Sequence, residues 1–220
     1  MSLVVVKAGG AALDAAARAV VELSAAGHSV CVVHGAGPQI TAEMERRGLP
    51  VEFAAGRRVT SAAALDVVRE SCAAVNAALC DAVGPAAVAF PDGVLEALPI
   101  PELGLVGDPV PSAPQAVVGA LTAGRIPVVA PLALGPLNVN GDEAASALAV
   151  GLGADRLVFV TDVPGVFVEG AVATAIAADD AQRLVDAGEF AGGIVPKLLA
   201  AARAARLGVA AEIGETAVTA

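Results

Sequence analysis

The chain has 220 residues, enough for one α/β domain or two small lobes on a shared sheet without disulfide or metal staples. Its formal net charge is -10 and its aromatic content 2 %, with no Trp or Tyr, so it lacks both the clustered cation that a phosphate backbone requires and the rings on which bases stack. Hydrophobic residues make up 56 %, but charge, Gly or Pro interrupts the Ala- and Val-rich runs, so neither a membrane span nor a nucleic-acid partner is expected.

The chain opens directly into the apolar run Leu3-Val4-Val5-Val6, with no basic segment or cleavage site ahead of it, which argues against secretion. Buried strands are predicted at Leu3 to Lys7, Ser29 to His34, Pro85 to Phe90, Ile126 to Ala130, Arg156 to Thr161 and Gly208 to Ile213. Between them, helical patterns run near Leu13 to Ala26, Gly37 to Arg47, Ser61 to Val83, Ser112 to Ala123, Asp142 to Leu152, Asp179 to Ala187 and Pro196 to Leu207. The alternation predicts a three-layer α/β/α sandwich with a mainly parallel central sheet. Extended pieces around Val51 to Thr60, Val94 to Leu98 and Val163 to Ala173 read as hairpins, and the Pro- and Gly-rich stretch from Pro99 to Pro114 as a loop. No repeat or linker divides the chain. A functional division near residue 135, into lobes 1–135 and 136–220, rests on each half holding its own glycine-lysine element. Cys31, Cys72 and Cys80 have no metal-ligand spacing and read as reduced thiols of a cytoplasmic protein.

Of thirteen cationic side chains only Lys7 and Lys197 are lysines, and both lie beside paired glycines, in Lys7-Ala8-Gly9-Gly10 and Gly192-Gly193-Ile194-Val195-Pro196-Lys197. A chain that uses arginine for every other positive charge has use for a compact ammonium at these two places, and glycine backbone beside it suggests phosphate. His34-Gly35-Ala36-Gly37-Pro38-Gln39 follows the second strand and opens a helix, so its N–H groups, like those of Gly9 and Gly10, can close on an anion at the carboxyl ends of neighbouring strands. Neither turn completes a dinucleotide fingerprint, since Ile40 stands at the last position of the second, and no Walker pattern is present. Asp142, in Asn138-Val139-Asn140-Gly141-Asp142, could cap the following helix or hold cationic groups. Thr161-Asp162-Val163-Pro164-Gly165-Val166 reads as a plain turn or a nucleotide-edge loop. Arg57 and Arg58 mark either a solvated face or a fork for a substrate carboxylate. His34 is expected to be structural, and His28 a surface loop residue.

Taken in order, these segments resemble the amino-acid kinase family, and within it the acetylglutamate kinases. The similar stretches are Val-Lys-x-Gly-Gly at 6–10, Val-His-Gly-x-Gly at 33–37, Pro50 and Phe53 before Gly56-Arg57-Arg58-Val59-Thr60, and Leu103-Gly104-Leu105-Val106-Gly107. They continue with Ile126-Pro127-Val128-Val129, Asn138 to Asp142, Thr161 to Val166 and Gly192 to Lys197. The resemblance implies ATP-dependent phosphorylation, with Mg2+, of the side-chain carboxylate of N-acetyl-L-glutamate in arginine biosynthesis. It implies that Lys7 and Lys197 neutralise the transferring phosphoryl group, that Asp142 holds the two lysines, and that Gly9, Gly10, Gly35, Ala36 and Gly37 contact phosphate. Arg58 and Asn138 would hold the acid, and Thr161, Asp162, Val163, Gly165 and Gly193 the nucleotide. Ala36 and Gly141 depart from the usual glycine and alanine, the hairpin around Val166 to Ala173 is short, and the tail after Ile213 skips the usual helical segment. Arginine-inhibited members of the family carry an additional N-terminal helix, whereas the first strand here begins at Leu3. The expectation is a homodimer formed by the N-terminal half and indifferent to arginine. The rival readings are a kinase for another small acid, such as an aminoadipate derivative, a non-catalytic nucleotide or amino-acid sensor, and a dinucleotide-dependent oxidoreductase.

Overall fold

The computed structural model describes residues 2–10 and 12–220. The chain forms β1 (Leu3–Ala8), α1 (Leu13–Ala25), β2 (Ser29–His34), α2 (Gly37–Arg46), the hairpin strands β3 (Phe53–Ala54) and β4 (Arg57–Arg58), and α3 (Ala62–Val83). There follow β5 (Ala87–Phe90), β6 (Ala97–Pro99), β7 (Val106–Pro109), α4 (Gln115–Thr122), β8 (Ile126–Val129), β9 (Leu132–Ala133), β10 (Leu137–Val139) and α5 (Gly141–Gly151). The remainder is β11 (Arg156–Val160), the hairpin strands β12 (Phe167–Val168) and β13 (Ala171–Val172), β14 (Ala175–Ala177), α6 (Ala178–Asp186), α7 (Ile194–Arg206), β15 (Ala210–Ile213) and β16 (Thr216–Thr219).

Eight strands form the central sheet in the order β14-β16-β15-β11-β1-β2-β8-β5. All its pairings are parallel except β15 with β16. The central strands read as unbroken apolar runs because both faces are covered. Alternation along β1 and β2 sends Val4, Val6, Val30 and Val32 against Ala16 and Val20 of α1 and Leu79 of α3. Val5, Cys31 and Val33 meet the alanine-rich helices α5 and α7 on the opposite face. This is the expected three-layer sandwich. Burial pushes the Cys31 and Cys72 thiols up to about 12, which leaves them chemically inert.

One expectation is corrected. The stretch from Pro99 to Pro114 is not a loop throughout: β6 and β7 pair antiparallel and join β10 and β9 in a second, four-stranded sheet, order β6-β7-β10-β9. Its strands are two to four residues long, too short for a legible period, and Val106 finds its partner Asn138 far along the chain. The tail after Ile213 forms no helix among the described residues, in keeping with the sequence reading. It turns at Gly214 and returns as β16, antiparallel to β15 and parallel to β14.

Close packing on small residues is sharpest at Gly151, where an added Cβ would stand 2.1 Å from the Ser112 carbonyl oxygen and 2.3 Å from its nitrogen. Backbone on both sides cannot give way. Gly151→Ala should therefore destabilise the fold by at least about 2 kcal/mol. Gly119→Ala, in α4 with open space around the new methyl, should stabilise by about 0.5–1 kcal/mol. Urea denaturation of both variants checks the pair, and equal effects would contradict the packing.

Candidate active site

The strand order reverses between β1 and β11: one half of the chain builds outward through β2, β8 and β5, the other through β15 and β16. The crevice beyond the carboxyl ends of such neighbouring strands is where α/β sheets bind ligands. Here it holds a cavity of about 570 Å3, which the ends of β1, β2 and β11, the starts of α2, α5 and α7, and the β3–β4 hairpin enclose.

Lys7 stands next to the end of β1, on the face shared with Val5, and so points toward α5. Its Nζ lies 2.8 Å from Asp142 Oδ1, and Lys197 Nζ, from the first turns of α7, lies 3.3 Å from the same oxygen. All three side chains are nearly removed from solvent. Burial works to raise the pKa of the Asp142 carboxyl, but the two ammonium groups outweigh it and hold the acid below its ordinary range. For Lys197, burial is the larger influence and lowers its pKa against the pull of Asp142, with Lys7 adding repulsion. One carboxylate balancing two ammoniums leaves an excess positive charge facing the cavity.

Asp142 does not cap its helix. Asn140 does so, its side-chain oxygen accepting from the N–H of Asp142 at 2.8 Å and of Glu143 at 3.2 Å, which leaves the Asp142 carboxylate for the lysines. The Asn140 amide also donates to the carbonyl of Gly56 at 3.1 Å and so ties the hairpin tip to the start of α5. Gly141, in place of the alanine usual in the resembled family, stands at the head of this capped helix. A Cβ there would come within 3.3 Å of Lys7 Cε.

The adjacent arginines separate because neighbouring side chains of a strand face opposite ways. Arg57 forms ion pairs with Glu143 at 2.9 Å and Asp108 at 2.7 Å. Arg58 turns inward: it donates to Thr41 Oγ1 at 2.7 Å and to the Gly37 carbonyl at 3.3 Å, and its guanidinium stands over the Phe53 ring at 4.6 Å. Among the described residues no carboxylate pairs with it. Burial lowers its pKa, yet a guanidinium remains charged at neutral pH, so the cavity wall holds a cation in want of an anion.

Fourteen of the fifteen residues singled out from the sequence line this one cavity: Lys7, Gly9, Gly10, Gly35, Ala36, Gly37, Arg58, Asn138, Asp142, Thr161, Asp162, Val163, Gly193 and Lys197. Gly165 lies outside the lining. A Cβ there would meet Thr216 Oγ1 at 2.6 Å and Val172 Cγ1 at 2.7 Å, so its small size serves packing against β16. Ala36 is buried among Ile40, Met44 and Ala64, in the core beneath the turn. Sequence reasoning did not single out Asn140, Thr60 or the Arg57 partners Glu143 and Asp108. For Asn140 the signal was available: an Asn immediately ahead of Gly-Asp-Glu is a helix start, and the competing cap Asp142 obscured it.

His34 is structural, as expected. Its ring is fully buried, Asn76 donates to Nε2 at 3.1 Å, and Nδ1 has no partner. Burial is the main cause that lowers its pKa from 6.5 to about 4; Lys7 adds to the shift, and the Gly35 backbone opposes it. Because folding depresses this pKa, the stabilisation is present above pH 6.5 and is lost as pH falls toward 4. Between pH 7 and 4.5, wild type should lose about 2–3 kcal/mol more than His34→Gln in chemical denaturation. Parallel pH curves for the two proteins would contradict the buried neutral ring.

The amino acid kinase family model matches residues 2–214. The chain is 41 % identical to the acetylglutamate kinase of Rubrobacter xylanophilus, covering 97 % of this chain and 88 % of that protein. It is 40 % identical to the acetylglutamate kinase of Saccharopolyspora erythraea, covering 94 % and 77 %. Among solved structures, smu.665 from Streptococcus mutans aligns with a TM-score of 0.85 at 28 % identity, over 99 % of this chain and 98 % of that one. The carbamate kinase of Giardia lamblia bound to AMP-PNP shares the fold, with a TM-score of 0.73 at 17 % identity over 99 % and 98 %. The family model matches nearly the whole chain and the relatives cover almost all of it, so the chain belongs to the amino acid kinase family.

Proposed function

We propose that this protein is an acetylglutamate kinase: it transfers the terminal phosphoryl group of ATP to the side-chain carboxylate of N-acetyl-L-glutamate, in arginine biosynthesis. The observation that carries this reading is the distribution of cations in one cavity, with the Lys7–Asp142–Lys197 cluster at one place and Arg58, free of any carboxylate partner among the described residues, at another. A dicarboxylate meets both needs, one carboxylate for Arg58 and the other for reaction. The names of the relatives support the acylated amino acid as the bearer of those carboxylates.

A carboxylate with a pKa of about 4 is ionised at neutral pH and needs no general base. His34 lies behind the turn and outside the cavity lining. Catalysis in this reading consists of alignment and charge. A side-chain oxygen attacks the γ-phosphorus, the bond to the β-phosphate oxygen breaks, and ADP leaves with the electron pair. Lys7 and Lys197 balance charge on the phosphoryl oxygens, and Asp142 keeps both ammoniums in place. The N–H groups of the turns at Gly9–Gly10 and Gly35–Gly37, the latter opening α2, suit phosphate oxygens. Thr161, Asp162, Val163 and Gly193 are assigned to the nucleotide side, residues 136–220, while residues 1–135 supply Arg58. Mg2+ would come with the triphosphate and would supply further positive charge to the phosphate oxygens. A homodimer through the N-terminal half completes the reading; β5 ends the central sheet with one edge unpaired. The test is trapping of the acyl phosphate with hydroxylamine across N-acetylglutamate, aminoadipate derivatives and other acids. Product from acids other than N-acetylglutamate alone would overturn the substrate assignment.

Two substitutions examine the parts. The ammoniums share one oxygen, and Lys7 has Gly35 and Gly141 against its tip, so a planar guanidinium does not fit. Lys7→Arg and Lys197→Arg should each lower turnover by at least about tenfold, equivalent to about 1.4 kcal/mol of barrier. Unchanged turnover in both would remove the requirement for lysine. Arg58→Ala should raise the KM for the acid by about tenfold or more and leave that for ATP nearly unchanged, as expected for loss of a charge-assisted fork. Equal changes in both constants would separate Arg58 from the acid.

A further inference from the structure

Thr60 is fully buried between the hairpin that carries Arg58 and the strand that carries Asn138. Its hydroxyl oxygen lies 2.7 Å from the Arg58 carbonyl oxygen and 3.0 Å from the Asn138 side-chain amide. A carbonyl has no proton to give, so the single hydroxyl proton must go to Arg58, and the hydroxyl can only accept from Asn138. The two ends of an asparagine amide have nearly the same shape, and only such a constraint decides which way round it sits. Here the amide nitrogen faces Thr60, and Oδ1 is the end turned away, in the wall of the cavity that Arg58 also lines. Thr60 itself cannot shift. Its N–H donates to the Leu103 carbonyl at 2.9 Å, and its carbonyl accepts from Leu105 at 2.8 Å.

We propose that Thr60 is a positioning residue that makes Asn138 present a hydrogen-bond acceptor to the acid. Arg58 selects a carboxylate, and Asn138 Oδ1 selects an N–H beside it. The inference rests on the acylated amino acid reading of the same cavity and adds a reason for the nitrogen: the α-amide N–H of such an acid donates where an ester oxygen would set acceptor against acceptor.

The experiment compares N-acetylglutamate with 2-acetoxyglutarate, its ester isostere, in wild type, Thr60→Val and Thr60→Ser. Wild type should prefer the amide in kcat/KM by at least about 100-fold. Valine keeps the shape and removes the hydroxyl, so Asn138 can turn over. The preference should then fall by at least about tenfold, chiefly through the KM for the acid and with the KM for ATP unmoved, and serine should restore it. A wild-type enzyme that handles the two compounds within about threefold of each other overturns the proposal even if the valine variant fails to fold. A folded valine variant with the full preference does so as well. Phosphorylation of neither compound by wild type would instead overturn the reading of the acid, and this inference with it.

Discussion

Two ammonium groups on a single buried carboxylate oxygen are the constraint around which the rest is arranged. Each ion loses hydration when it is buried, and one anion cannot repay two cations fully. The cluster therefore adds little to stability on its own account. It holds a cationic site dry and in place, at the meeting of β1, α5 and α7, and the remaining charge is available to an anion. The acidity of the chain as a whole, at -10, makes this local excess a property of placement and not of composition.

The hairpin extends the same arrangement to the far side of the cavity. Arg57 reaches Glu143, the residue after Asp142, and Asn140 grips the hairpin tip while it caps the helix that presents Asp142. The tip also meets Pro196, the neighbour of Lys197, since a Cβ on Gly56 would stand 3.7 Å from the proline side chain. A displacement of the hairpin would be felt at both the carboxylate and the lysine that it balances. The hairpin side and the lysine side of the cavity are thus joined by short, direct contacts and need no long chain of coupled residues.

Small side chains make the arrangement compact. The buried faces of α5 and α7 are largely alanine, including Ala144, Ala145, Ala149, Ala201, Ala202 and Ala204, which lets the two helices and the sheet approach closely. This close approach is what brings the start of α5 and the start of α7 within reach of one another.

Local pattern by itself determined six of the eight strands of the central sheet, every α-helix to within a few residues, and the lysine-with-glycine turns. Those depend on apolar runs, on helical periodicity and on the chemistry of short segments, all of which lie in neighbouring residues. The similarity of ordered motifs also pointed to residues that line the one cavity. Only the tertiary structure decided that Asn140, not Asp142, is the cap, that Arg57 is bound internally while Arg58 is not, and that Gly165 packs against Thr216. It also made strands of β7, β10, β14 and β16, whose three or four residues have no period of their own. The reason is common to all of these: hydrogen-bond direction, ion pairing and short-strand pairing depend on partners that the chain brings together from distant positions, and a linear pattern does not contain that distance.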